Sequence, residues 1–166
     1  MHARRTARDA RRDREFAAFV AGASGRLLHT AVLLTAETPD AHPRARRLLT
    51  LALAHTYAHW DGLRGEDPYD RTRQHLAGRF ARAAWHQYGA FGRARPRPGS
   101  TLADLAPRER LVLVLRLFEG VAEQQTAALL GMPVERVRAL CDRATATLLH
   151  PPRPPAPTVT AKAVTS

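Results

Sequence analysis

Apolar residues recur at spacings of three and four along most of the chain, and no useful length alternates with period two. Phe16, Phe19, Val20, Ala23, Leu27, Ala31 and Leu34 fall on one stripe and predict a first helix, although Gly22 and Gly25 weaken its middle. A polar stretch from Ala36 to Pro43 makes a turn. Ala45, Leu48, Leu49, Ala52, Leu53, Thr56, Tyr57 and Trp60 then predict a second helix. Asp61 to Asp67 interrupts the pattern, Pro68 suits the first turn of a third helix, and Leu76, Phe80, Ala83 and Ala84 give that helix its buried side. These three make a compact unit.

A second block opens at Leu105, Ala106 and Pro107. Its first helix takes in Leu111, Val112, Leu115 and Phe118 and is ended by Glu119 and Gly120. A short helix from Ala122 to Leu130 stops at Gly131, which suits a left-handed turn. Val134, Val137, Cys141, Ala144 and Leu148 then line the inner side of a last helix. Short helix, glycine turn and second helix make a helix-turn-helix. The fold class is therefore all-α, with two small helical domains. Composition divides the chain into a basic N-terminal arm (1–13), a first helical domain (14–90), an Arg/Pro linker (91–100), the helix-turn-helix domain (101–150) and a Pro-rich tail (151–166). The linker is expected to be flexible and the tail disordered. The arm either extends the first helix or stays disordered.

Charge adds a partner class. A formal net charge of +11 and a pI near 11.4 favour a polyanion, nucleic acid before an acidic protein or membrane surface. Because Lys162 is the only lysine, coding bias toward arginine accounts for the residue type but not for the charge. The single cysteine, Cys141, excludes an intramolecular disulfide and a cysteine-based zinc site, which suits a reducing cytoplasm. No apolar run approaches the roughly 18 residues of a membrane span, so a soluble, cytoplasmic protein without a membrane partner is expected. His55 and His59 share a face at i and i+4, but Thr56, Tyr57 and Ala58 between them supply no glutamate base, so a polar helix edge outweighs a metal site. No phosphate loop, nucleophile elbow or paired carboxylate is evident; Asp104, Glu109 and Glu123 read as helix-start acids. No enzyme, metal or cofactor is implied.

Once the inner stripe of the last helix is assigned to packing, Glu135, Arg136, Arg138, Ala139 and Asp142 face outward near its start, with Arg143 a turn further on. Arginine can grip guanine or phosphate and glutamate can accept from cytosine, so both positioning and readout are available. The competing reading is a solvated helix face. The helix-turn-helix pattern favours DNA contact.

The stretch LAPRERLVLVLRLFEGVAEQQTAALLGMPVERVRALCDRATATLL resembles region 4 of bacterial sigma factors of the extracytoplasmic function (ECF) type. Leu105, Pro107, Arg108, Arg110, Ala127, Leu130, Gly131, Val134, Val137 and Arg138 stand at the positions of the family pattern. The resemblance implies that this module reads the promoter −35 element and gives Arg136, Arg138 and Arg143 that role. The first block resembles the family's region 2 in REFAAFVAGASGRLLHTAVLLT and ALAHTYAHWDGL. Where the family carries an acidic, amide-rich stretch that contacts the clamp helices of RNA polymerase, this chain has Arg47, Leu48, Leu49, Thr50 and Leu51. A helical wheel places Arg47 and Leu51 outward, so Arg47, Thr50 and Leu51 make a candidate polymerase-facing surface of reversed charge. For promoter melting the resemblance points to Tyr57, Trp60, Arg73, Arg79, Arg82, Trp85 and Tyr88. Of these, Tyr57 and Trp60 lie on the packed stripe, leaving Arg79, Arg82, Trp85 and Tyr88 as candidate single-strand contacts. The implied partners are double-stranded promoter DNA, core RNA polymerase and an anti-sigma protein. The alternative is a sigma-derived DNA-binding regulator or interaction protein without productive polymerase binding.

Overall fold

The computed structural model describes residues 2–87, 100 and 102–151. The tail, most of the linker and Tyr88 lie outside the described residues. Six α-helices and two short irregular turns build the described chain, with no strand and a single bridge between Thr38 and Ala41.

The first helix, α1 (His2–Thr35), runs through both the basic arm and the first apolar stripe. Gly22 and Gly25 do not interrupt it. Each weakens a helix by about 1 kcal/mol relative to alanine, and burial of Leu27, Ala31 and Leu34 on its inner face offsets that loss. Its arm is held by side chains: Arg12 donates to the Tyr57 hydroxyl at 3.0 Å, and that hydroxyl donates to Asp13 at 2.5 Å. Phe16 packs edge-on against Tyr57 and Trp60, with ring centroids 4.9 and 5.3 Å away. α1 is long and apolar enough between Thr6 and Thr35 to cross a membrane by length and composition, which amends the expectation that no run comes close. The Leu27, Ala31 and Leu34 side of α1 lies in the protein core.

Helix α2 (Pro43–Ala58) starts without a side-chain cap from His42. Glu37 supplies the missing acceptor instead, taking the Ala45 amide at 2.8 Å and the Arg44 amide at 3.2 Å. Burial pushes the Glu37 carboxyl up, but those amides, the Thr35 hydroxyl and the Arg44 charge outweigh it and hold it below its ordinary range. The predicted second helix ends short of Trp60, which instead begins a 3-10 turn (Trp60–Gly62). Helix α3 (Pro68–Gln87) returns against α2, and a buried hydroxyl pair, Thr56 with Thr72 at 2.8 Å, fixes the register.

In the second block α4 (Pro107–Leu113) continues as a π-helical turn (Val114–Phe118), followed by α5 (Glu123–Leu130) and α6 (Val134–Leu149). The wider turn is closed by the Glu119 amide on the Val114 carbonyl at 2.9 Å. Gly120, at φ +70, then turns the chain away. Val112, Ala127, Val137 and Leu140 form a core belonging to this block alone. A larger core runs without a break from Ala23, Leu27 and Leu34 of α1 to Leu102, Leu105, Leu111 and Leu115. The two helical blocks therefore pack against each other.

Candidate nucleic-acid interface

The turn between α5 and α6 is set by Gly131, which adopts φ +62 and ψ +40. The Met132 amide donates to the Ala127 carbonyl at 3.1 Å, and the Gly131 amide to Ala128 at 3.4 Å. These are the paired bonds of a Schellman cap. Pro133 then starts α6 with its ring nitrogen where no helical donor is needed. Val137, Leu140 and Ala144 are buried beneath α6. Leu140 was absent from the stripe read in the sequence, whereas Leu148, included there, is exposed. Residues 137, 140 and 144 lie on one face of α6, and Leu148, in its last turn, is exposed.

All six outward residues, Glu135, Arg136, Arg138, Ala139, Asp142 and Arg143, are exposed together on one side of α6. Their charges are not equivalent. Arg138 donates to Glu123 at 2.9 Å, and Arg116 stands 3.7 Å from the same carboxylate. Arg143 lies 3.6 Å from Glu109. The Arg138 hydrogen bond holds the Glu123 carboxyl below its usual range. Arg136 has no ion pair among the described residues. Glu109 also accepts the Ala106 amide at 3.2 Å, so two of the three helix-start acids read in the sequence restrain arginines of α6. Residues 101–150 carry six arginines and six acidic residues. This surface offers one exposed guanidinium, that of Arg136, without an ion pair among the described residues and in neutral surroundings, not a positive patch.

The positive excess lies in residues 1–100, where eighteen arginines face nine acidic residues. Arg47, Thr50 and Leu51 are exposed on α2, Leu51 at 37%. On α3, Arg79 is half-buried and Arg82 exposed, while the half-buried Trp85 ring lies 4.9 Å beneath the Arg108 guanidinium of the second block. Arg73 turns inward, 13% exposed at its side chain, and Tyr57 and Trp60 pack on Phe16 as noted. His55 is stacked between His59 (4.3 Å) and His75 (3.8 Å, rings 11° apart). Parallel rings direct their nitrogen lone pairs past one another, so the face shared by His55 and His59 does not converge on an ion, and no metal-binding cluster is found among the described residues. Burial, with His55 and the charges of Arg79, Arg82 and Arg71, pushes His75 down to about 4. The sequence reading missed His75 because it lies on a different helix from the pair.

Residues 101–149 match the family model of Sigma-70, region 4. A search of curated proteins gives no match. Among solved structures, the sigma factor RpoE from Bartonella quintana, determined in complex with the anti-sigma factor NepR, shares 20% identity with a TM-score of 0.58. The alignment covers 81% of this chain and 94% of that one. The class is therefore an all-α sigma factor fold with a helix-turn-helix in its second block. More particularly, residues 101–149 match sigma-70 region 4, and the chain as a whole shares the fold of the sigma factor RpoE.

Proposed function

We propose that this chain is a sigma factor-like transcription initiation protein that binds the promoter −35 element through α6 and directs core RNA polymerase. The carrying observation is that Glu135, Arg136, Arg138, Ala139, Asp142 and Arg143 form one exposed face on the second helix of a region 4 helix-turn-helix. Arg136 has its donors free for guanine or phosphate. Arg138 and Arg143 reach phosphate by exchanging the partly buried Glu123 and Glu109 carboxylates for a DNA backbone oxygen, their own guanidiniums being exposed. In the first block Arg79 and Arg82 are the residues placed to hold a displaced strand, with Trp85 available only when its contact with Arg108 is given up. The domain limits, 1–13, 14–90, 91–100, 101–150 and 151–166, belong to this reading, as do a cytoplasmic location and an anti-sigma partner. The latter is supported by the complex in which the RpoE relative was solved.

The test is association with purified core polymerase followed by transcription from selected promoters in vitro. Promoter-dependent transcripts are expected, and lack of association at physiological salt removes the reading. A second reading is favoured by Arg47, Thr50 and Leu51, exposed on α2 where an acidic surface is expected for polymerase contact. Like charges facing one another across an interface cost several kcal/mol. A sigma-derived DNA-binding regulator without productive polymerase contact is then the outcome, revealed by a footprint without a transcript.

A further inference from the structure

Glu119 closes the π-helical turn of the second block, yet none of its side-chain surface is exposed. Its partners come from the first block. The Tyr69 hydroxyl donates to the carboxylate with both oxygens 3.0 Å away, and the Thr30 hydroxyl donates to Oε1. The guanidiniums of Arg73 and Arg26 stand 3.7 and 3.8 Å off. Arg26 also donates to the Phe118 carbonyl at 3.2 Å, and Phe118 packs against His29 with ring centroids 4.9 Å apart. Thr30 and Tyr69 are on different helices, so the carboxylate reads the relative placement of α1 and α3 as well as its own docking. A carboxylate removed from water needs charge and hydrogen-bond partners, and every partner that the structure gives this one lies across the boundary between the blocks. Burial and the neighbouring Glu119 charge push the Tyr69 hydroxyl up to about 12, so it remains a donor throughout the physiological range.

We infer that Thr30, Tyr69, Arg73 and Arg26 form a carboxylate-binding site on the first block whose occupant is Glu119 of the same chain, and that this contact latches the two blocks in a closed form. The alternative occupant, water, satisfies the same groups only after the blocks part. Leu27 and Leu34 supply apolar adhesion that is indifferent to orientation, whereas Glu119 with four directed partners specifies one docking geometry.

On the sigma factor reading above, opening the latch lets the two blocks meet DNA elements farther apart than a closed chain with a radius of gyration of about 15 Å can reach, although the α6 face is exposed in the closed form already.

Small-angle scattering of the full chain at physiological salt tests the latch without DNA or polymerase. The native chain is expected at a radius of gyration below about 20 Å, and Glu119→Lys, which sets a cation against Arg73 and Arg26, is expected to raise it by at least about 5 Å with helical circular dichroism unchanged. Should that variant lose helicity, Thr30→Val with Tyr69→Phe, which removes both hydroxyl donors on the opposite side, carries the same expectation. An extended native chain overturns the inference, and so does a helical Glu119→Lys, or in its place the Thr30/Tyr69 variant, as compact as the native protein. Failure of transcription in vitro leaves this result untouched, so the latch and the sigma factor reading fail separately.

Discussion

Residues 101–150 have as many acidic residues as arginines, while residues 1–100 have twice as many arginines as acids. Yet the neutral block holds the helix-turn-helix to which we assign DNA reading. The difference separates two tasks that a single net charge merges. Diffuse positive charge draws a polyanion in a salt-dependent, sequence-blind manner, whereas readout needs a few donors held at fixed positions. In the second block Glu123 and Glu109 neutralise Arg138 and Arg143, leaving Arg136 as the unencumbered group. The first block instead presents arginines with few acids between them on α2 and α3.

The comparison is tested most severely at the core that the blocks share. Leu27→Ala removes a fully buried side chain from it and is expected to destabilise the protein by about 2–5 kcal/mol. Both tryptophans, Trp60 and Trp85, lie in the first block, Trp85 at its contact with Arg108, so fluorescence follows that block and its docking while far-ultraviolet circular dichroism follows all helices. The two urea transitions should coincide in the native chain, where the shared core and the Glu119 latch couple blocks that each keep their helices when parted. Separated transitions in the native chain mean that the continuous core contributes little to that coupling.

Acid should weaken the first block next. His75 is held neutral with its folded value near 4, below the roughly 6.5 of an unfolded histidine. The unfolded chain thus binds the extra proton between those values, and stability rises with pH there and falls on acidification, by at most about 1.4 kcal/mol per pH unit from this group. Glu37, held below its ordinary range, loses its contribution in the same direction at lower pH. His75→Gln should flatten the stability profile between pH 6.5 and 4; an unchanged profile rejects His75 as its source.

Gly131→Ala sharpens the second block. The added methyl meets nothing within 4 Å, so the whole effect is the left-handed backbone. A loss of about 1–2 kcal/mol is expected in thermal unfolding, and a neutral result contradicts the Schellman geometry of the turn. Smaller still are the surface arginines. Arg136→Ala should weaken binding to a selected duplex by about 1 kcal/mol or more, with Arg138→Ala costing less because the native guanidinium must first leave Glu123. Glu123→Gln should release Arg138 and steepen the salt dependence by about one phosphate contact. Equal effects of the two arginine variants would show that the ion pairs do not discriminate between them.

Helix content, the helix-turn-helix and the outward face of α6 were legible in the sequence because the 3.6-residue period and the glycine at 131 are local signals. Continuity of α1 through Gly22 and Gly25 was not, since it depends on what Leu27 and Leu34 meet in space. Leu140 was overlooked for a related reason. An inner stripe can be continued through 140 or 141, and only the position of α4 selects the former. Glu119 read as a helix terminator, and nothing within the second block reveals Thr30 or Tyr69 as its partners, each of which is 50 or more residues away. The sequence carried the residues of the α6 face but not their ion pairs, because Glu123 and Glu109 meet Arg138 and Arg143 only after the helices pack.

The division of labour between the blocks is tested most directly by selecting duplexes from a random pool with the native chain and with Arg136→Ala/Arg143→Ala. The native chain should enrich one sequence motif, and the variant should keep salt-sensitive binding to bulk DNA while losing the motif. Enrichment of the same motif by the variant, or of none by the native protein, contradicts sequence readout by α6.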